Sequence, residues 1–146
     1  MTENNTNGLN LDLDSFICSE FGKEKIKDPK QVSPLVLAYI GDAVYEIIIR
    51  TLLLNDSAGT VQNYHKKCIS YVNCAKQREI IMSIEEELTE DEMNVFKRGR
   101  NAKSYTMPKN ATPSDYRNAT GFEALCGYLY LMGKIDRLTE LLKKVI

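Results

Sequence analysis

Two acidic residues stand in stretches that are mostly apolar. Asp42 lies within LAYIGDAVYEIII, and Glu123 is the one charged residue of FEALCGYLYLM. A helix apolar nearly all round is normally central and buried. Each acid also has glycine close by, Gly41 beside Asp42 and Gly121 and Gly127 flanking Glu123. Glycine costs about 1 kcal/mol against alanine inside a helix, so its use there points to helices crossing at close range. Two such helices would pool carboxylates on a rigid scaffold. That suits Mg²⁺, which takes hard oxygen ligands and completes its octahedron with water. A plainer reading stays open: Asp42, Glu46 and Arg50 fall four apart, and a solvent-facing strip with Glu46 paired to Arg50 has the same spacing.

The third feature is basic. Residues 93–114, MNVFKRGRNAKSYTMPKNATPS, hold Lys97, Arg98, Arg100, Lys103 and Lys109 and no acid, a local charge of +5. The whole chain has 19 basic and 20 acidic residues and a net charge of −1. This balance excludes a generally basic nucleic-acid coat, so any such binding must be local. Asn101, Ser104, Tyr105 and Thr106 add neutral donors, and Gly99 adds flexibility. The segment therefore suits a grip on a phosphate backbone, with a merely solvated loop as the alternative. The compensating acids gather elsewhere, at Glu85, Glu86, Glu87, Glu90, Asp91 and Glu92. His65, with Lys66 and Lys67, is a further candidate RNA contact, although a lone histidine is as often structural. Tyr39, Tyr45, Tyr128 and Tyr130 read as core or dimer packing rather than base stacking.

The elements that position these residues are helical. Pro34, preceded by Ser33, opens a helix over 34–54. Thr60 caps a second helix to about residue 71, and a third covers 73–86. Thr89-Glu90-Asp91-Glu92 forms a capping box for a fourth, to about Arg98, where Gly99 interrupts and a loop over 99–112 follows. Thr112 and Pro113 open a fifth helix, stopped at Gly133, and a sixth spans 135–145. With no alternating strand pattern, the fold class is all-α. Residues 1–14 read as a disordered tail and 15–146 as one domain, of a size that buries a real core. The surplus of apolar surface on the helices over 34–54 and 113–132 predicts a dimer.

Other classes are set aside. Cys18, Cys68, Cys74 and Cys126 form no CxxC pair and read as free thiols of a cytoplasmic protein rather than a zinc site or disulfide framework. The N-terminus lacks an apolar run, so no secretory signal is expected. The longest uncharged run, Gln31 to Gly41, falls short of the roughly 18 residues of a membrane span.

Taken together, LAYIGDAVYE, HKK, KRGRNAKS and GFEALCGYLYL resemble Mini-ribonuclease III, the compact branch of the ribonuclease III family without a double-stranded-RNA-binding domain. The similarity runs from about residue 30 to 146. It implies the helical bundle of a ribonuclease III endonuclease domain and a homodimeric, Mg²⁺-dependent endoribonuclease. It also implies double-stranded RNA as substrate, with maturation of the large-subunit ribosomal RNA precursor as its role. Asp42 falls at the aspartate of the signature block and Glu123 at the glutamate of the later block, which makes both the catalytic and metal-binding residues. Lys97, Arg98, Arg100, Asn101, Lys103 and His65 are the candidate substrate contacts. A ribosomal-protein partner is neither called for nor excluded.

The chain departs from the wider family at two positions. A glutamate four residues before the signature aspartate is replaced by Ala38, and an acid three before the later glutamate is replaced by Thr120. Two of the four usual acids are therefore missing, and Glu46 is a candidate supplementary ligand. Two rival readings carry distinct signatures. An all-α nucleotide pyrophosphohydrolase would want an ExxE pair, which only Glu87 and Glu90 supply. A non-catalytic RNA-binding module for ribosome assembly would use the basic segment alone.

Overall fold

The computed structural model describes residues 12–56, 58–103 and 107–146, and among them every regular element is a helix. In chain order these are α1 (Leu13–Glu20), α2 (Pro34–Asp56), α3 (Val61–Val72), α4 (Cys74–Ile84), α5 (Glu90–Asn101), α6 (Pro113–Leu131) and α7 (Ile135–Leu142). Short 3₁₀ turns at Pro29–Gln31 and Glu85–Glu87 precede α2 and α5.

Helix starts follow their capping residues. Thr60 accepts from Asn63 N, Asn73 from Lys76 N, and Thr112 from Asp115 N with Pro113 in the first turn. Thr89 and Glu92 form a complete capping box. Each arrangement satisfies backbone donors that the first turn leaves orphaned. At the far end of α6, Gly133 takes φ +72°, and Lys134 N reaches back to Leu129 O at 2.8 Å. This left-handed turn is one that glycine adopts without steric cost.

Helix α6 is the centre of the bundle. It is buried along most of its length, from Asn118 to Leu131, and packs on α2, α4 and α5. Tyr45 on α2 is fully buried, edge-on to Phe122 of α6 with ring centroids 5.0 Å apart. Its hydroxyl donates to Tyr71 O at 2.7 Å, tying α2 to the end of α3.

Two glycine contacts set the helix spacing. A Cβ on Gly41 would overlap the Glu123 carbonyl oxygen and stand 2.7 Å from Gly127 N. A Cβ on Gly127 would overlap Leu37 O. The backbones of α2 and α6 therefore touch at this crossing, as the glycines beside the two acids predict.

Gly99 corrects the sequence reading. It does not interrupt a helix. It is buried inside α5, which runs on to Asn101, and an added Cβ would stand 2.8 Å from Ala124 Cβ and 2.9 Å from Gly121 Cα. Here glycine serves close packing of α5 on α6 rather than flexibility. Arg100 and Asn101, expected in a loop, consequently ride with Lys97 and Arg98 on one rigid helix. Ser104, Tyr105 and Thr106 lie outside the described residues.

The N-terminal boundary also differs from expectation. Residues 1–11 of the tail lie outside the described residues, but Asp12 caps α1 by accepting from Ser15 N, and Asp14 is buried. Lys25 forms ion pairs with both Asp12 and Asp14, the latter at 3.6 Å. The acid-rich start that reads as a tail is in part a helix cap held by a lysine.

The acidic cluster over 85–92 has structural work. Glu92, almost fully buried, completes the capping box and accepts from Arg137 Nε at 3.0 Å. Arg137 also donates to Glu87 O at 2.8 Å, and Lys144 pairs with Glu87. These contacts clamp α7 onto the start of α5, and Glu87, in the 3₁₀ turn, does not share a helix with Glu90 as an ExxE pair would.

Candidate active site: a pooled carboxylate pair on crossing helices

The α2–α6 crossing brings Asp42 and Glu123 together. Asp42 is exposed and Glu123 half-buried. Burial and the hydrogen bond to the adjacent Asp42 carboxylate push the Glu123 pKa up to about 8. Like charges at this range cannot both be carried cheaply, so near neutrality Glu123 keeps its proton and donates it to Asp42.

The surroundings sharpen this pair. Ala38 and Thr120, at the two positions without acids, are both buried, and Thr120 Oγ1 donates to Tyr116 O of its own helix at 3.0 Å. Glu46 is engaged by Arg50, whose Nε donates to it at 3.1 Å. The i,i+4 pairing within the α2 stripe therefore holds, while Asp42 at the head of that stripe turns to α6. Cys126 is fully buried nearby, and its thiol pKa is raised well above the usual value, chiefly by burial. It stays a protonated thiol and adds no soft ligand.

Among the described residues, no group of three or more His, Cys, Asp or Glu is placed to hold a metal ion. The pair alone still fits a small, hard dication. It offers two carboxylates at one spot, and a dication there would supply the counter-charge that Glu123 otherwise takes from a proton. Its remaining coordination positions would fall to water and substrate, the usual habit of Mg²⁺.

The raised pKa has a stability consequence. An unfolded glutamate ionises near pH 4.5, whereas folded Glu123 stays neutral to about 8. The metal-free fold therefore loses stability as pH rises between these values. Glu123→Gln keeps a neutral donor towards Asp42. Its melting temperature should match wild type at pH 5 and exceed it at pH 8.5 in EDTA. The gap should be at most about 5 kcal/mol, at about 1.4 kcal/mol per pKa unit. Parallel melting curves at the two pH values check this, and equal gaps at both would contradict the shift.

The other candidate residues divide into separate places. Lys97, Arg98 and Asn101 border a shallow groove on α5 with Pro34 and Asn94. Arg98 is already committed there, donating to Lys30 O at 2.6 Å and Val32 O at 3.3 Å. It ties the segment leading into α2 onto α5. The Arg100 guanidinium stacks over Phe96 at 5.4 Å and donates to Asn101 Oδ1 at 3.3 Å. Lys97 and Lys103 are exposed.

His65 lies apart from the acidic pair. It is exposed on α3 and lines a small hollow of about 240 Å³ with Arg50, Leu53, Tyr64 and Cys68. Arg50 is two helical turns beyond Asp42, about 12 Å along the axis. Sequence reasoning passed over Gln77 of α4. It is 1% exposed, and its amide adjoins the Glu123 carboxyl. A polar residue inside an amphipathic helix gives no sign in the sequence that it faces a distant acid.

Known proteins share this sequence and architecture. Residues 35–134 match the Ribonuclease III domain family. The chain is 52% identical over 132 residues to Mini-ribonuclease 3 of Clostridium tetani, spanning 90% of this chain and 85% of the relative. It is 43% identical over 122 residues to Mini-ribonuclease 3 of Brevibacillus brevis, spanning 84% and 91%. A crystal structure of a Fusobacterium nucleatum protein superposes with a TM-score of 0.72 at 30% identity, covering 79% of this chain and 92% of that one.

Proposed function

This chain belongs to the ribonuclease III family of endoribonucleases, and from that premise we propose that it cleaves double-stranded RNA as a Mg²⁺-dependent homodimer. The observation that carries the reading is the Asp42–Glu123 pair, set by glycine-to-backbone contact at the α2–α6 crossing. The substrate we assign is the large-subunit ribosomal RNA precursor, and a cytoplasmic location goes with it. None of the helices described is long and apolar enough to cross a membrane.

Asp42 and Glu123 would hold the ion, with Glu123 giving up its proton as it binds. Bound there, a divalent ion would supply Lewis-acid polarisation of a phosphate and a more acidic water. The chain's own contribution is orientation. Asp42 cannot drift, because Gly41 is locked on the α6 backbone, and Glu123 sits on the central, most buried helix. The basic face of α5 supplies backbone contacts that place the duplex. Incubating the protein with duplex RNA, single-stranded RNA and nucleoside triphosphates, with Mg²⁺ or EDTA, tests the reading. Cleavage of the duplex with Mg²⁺ only is expected, and hydrolysis of free triphosphates instead would contradict it.

An apolar face supports the dimer. Tyr39 is 80% exposed and Ile47 61%, while Ile40, Ala43, Ile47, Ile48 and Tyr130 line a groove of about 830 Å³ on one side of α2. So large a hollow, mainly apolar although Asp12 and Asp136 also line it, calls for a partner, and a second copy related by a two-fold axis would present one carboxylate pair to each strand across the A-form minor groove. Sedimentation should therefore give twice the sequence mass of 16.6 kDa, and Ile47→Asp should shift the protein to monomer. A monomeric wild type at concentrations of full cleavage would contradict this.

The helical placement of the basic residues refines their roles. Lys97→Ala with Lys103→Ala should weaken duplex binding and flatten its salt dependence by about one unit of slope per lost phosphate contact. Apparent KM should rise more than kcat falls. Arg98→Ala should instead lower the melting temperature, because its guanidinium holds two backbone carbonyls. Duplex affinity measured from low to moderate salt checks the first point. The same affinity and slope in the double variant would mark these lysines as merely solvated.

A further inference from the structure

Beside the acidic pair, α4 buries an amide nitrogen without an acceptor in good bonding geometry. The Gln77 Nε2 is sealed from solvent and meets no acceptor in bonding geometry among the described residues. A buried donor left unpaired is costly, and such a group in a native fold calls for a specific explanation. Its neighbour is the Glu123 carboxyl, near enough for the amide to favour the ionised form of Glu123 but short of full bonding geometry.

The other groups around Glu123 cannot do what this amide can. Asp42 is an acceptor when ionised. The Thr120 hydroxyl is spent on Tyr116 O. The Cys74 and Cys126 thiols, which both feel the Glu123 charge, are weak donors. An ionised carboxylate has more lone pairs than an ion takes up, and carboxylates that bind metals are in turn held by hydrogen bonds from behind.

We propose that Gln77 is a positioning residue whose Nε2–H donates to a Glu123 carboxylate oxygen when Glu123 turns to a divalent ion. It fixes the carboxylate's orientation without touching the substrate or the ion. This inference rests on the assignment of Glu123 as a metal ligand.

The test uses Mn²⁺ as probe, since it takes the same oxygen ligands as Mg²⁺ and its free fraction is read by electron paramagnetic resonance. Wild type, Gln77→Met, Gln77→Leu and Glu123→Gln are titrated as full chains, and each is melted in EDTA. Because Nε2 is buried without an acceptor in good bonding geometry, Gln77→Met and Gln77→Leu should melt at or above the wild-type temperature in EDTA. Both should bind Mn²⁺ at least fivefold more weakly. Weakening of less than fivefold, with Glu123→Gln binding abolished, would overturn the role of Gln77 and leave the ligand assignment standing. Both variants melting well below wild type would make Gln77 a structural residue and also overturn it. Wild-type affinity in Glu123→Gln would overturn the ligand assignment itself, and the inference with it.

Discussion

Asp42→Asn should reduce cleavage of duplex RNA by at least about 100-fold at saturating substrate while leaving the fold and duplex binding nearly unchanged. The exchange keeps the shape of the side chain and removes its charge. A carboxylate that helps to hold a catalytic dication supplies several kcal/mol of transition-state stabilisation, and about 1.4 kcal/mol corresponds to each tenfold in rate. The loss should fall on kcat, because the proposed role of Asp42 is to hold the ion at the reacting phosphate rather than to grip the length of the duplex. Asp42 is exposed, so its replacement leaves no cavity. It also removes a charge that raises the Glu123 pKa, and that pKa should fall in the variant. Single-turnover cleavage with duplex affinity measured in parallel checks the split. Activity within tenfold of wild type would remove Asp42 from the site.

The largest stability effects should come from the glycines at the helix crossing. Gly41→Ala would drive a methyl group into the Glu123 carbonyl, and Gly127→Ala would drive one into Leu37 O. The obstacles are backbone atoms of buried helices, which cannot rotate aside. Overpacking a core typically costs about 1–3 kcal/mol when side chains can give way, and here they cannot. Losses of at least about 4 kcal/mol are expected, enough for soluble expression itself to suffer. Gly59→Ala is the control, because its nearest neighbour would be Asn63 Cβ at 3.7 Å, an ordinary contact. Chemical denaturation of the three variants checks this. A Gly41→Ala protein as stable as wild type would mean that the helices stand further apart than described. A protein that survives the substitution should still lose cleavage, since the crossing that breaks is the one that pairs the acids.

Much of this was legible in the sequence because it is written locally. Thr60, Asn73, Thr89 and Thr112 announce helix starts through their own side chains, and Gly133 announces a stop through its backbone freedom. The pairing of Asp42 with Glu123 was legible only in part, since the glycines beside the acids suggest a close crossing while the spacing of Asp42, Glu46 and Arg50 equally fits a solvent-facing strip. What depends on distant partners was not. Gly99 looks in sequence like a break and is in fact the contact point of α5 on α6. Arg98 looks like a phosphate ligand and is occupied by two carbonyls more than sixty positions away. Helix α1 was missed because Asp12 and Asp14, which resemble a polar tail, are held by Lys25 across a turn. Gln77 carried no signal at all, because its meaning lies in facing Glu123.

The central claim is that the Asp42–Glu123 pair hydrolyses duplex RNA with a divalent ion and water. The most direct measurement is the chemistry of the product ends after incubation of long duplex RNA with Mg²⁺. Attack by water on phosphorus predicts 5′-phosphate and 3′-hydroxyl ends on both strands, with cleavage lost in EDTA and in Asp42→Asn. Products ending in 2′,3′-cyclic phosphate, or an intact duplex under every divalent ion tried, would contradict the account.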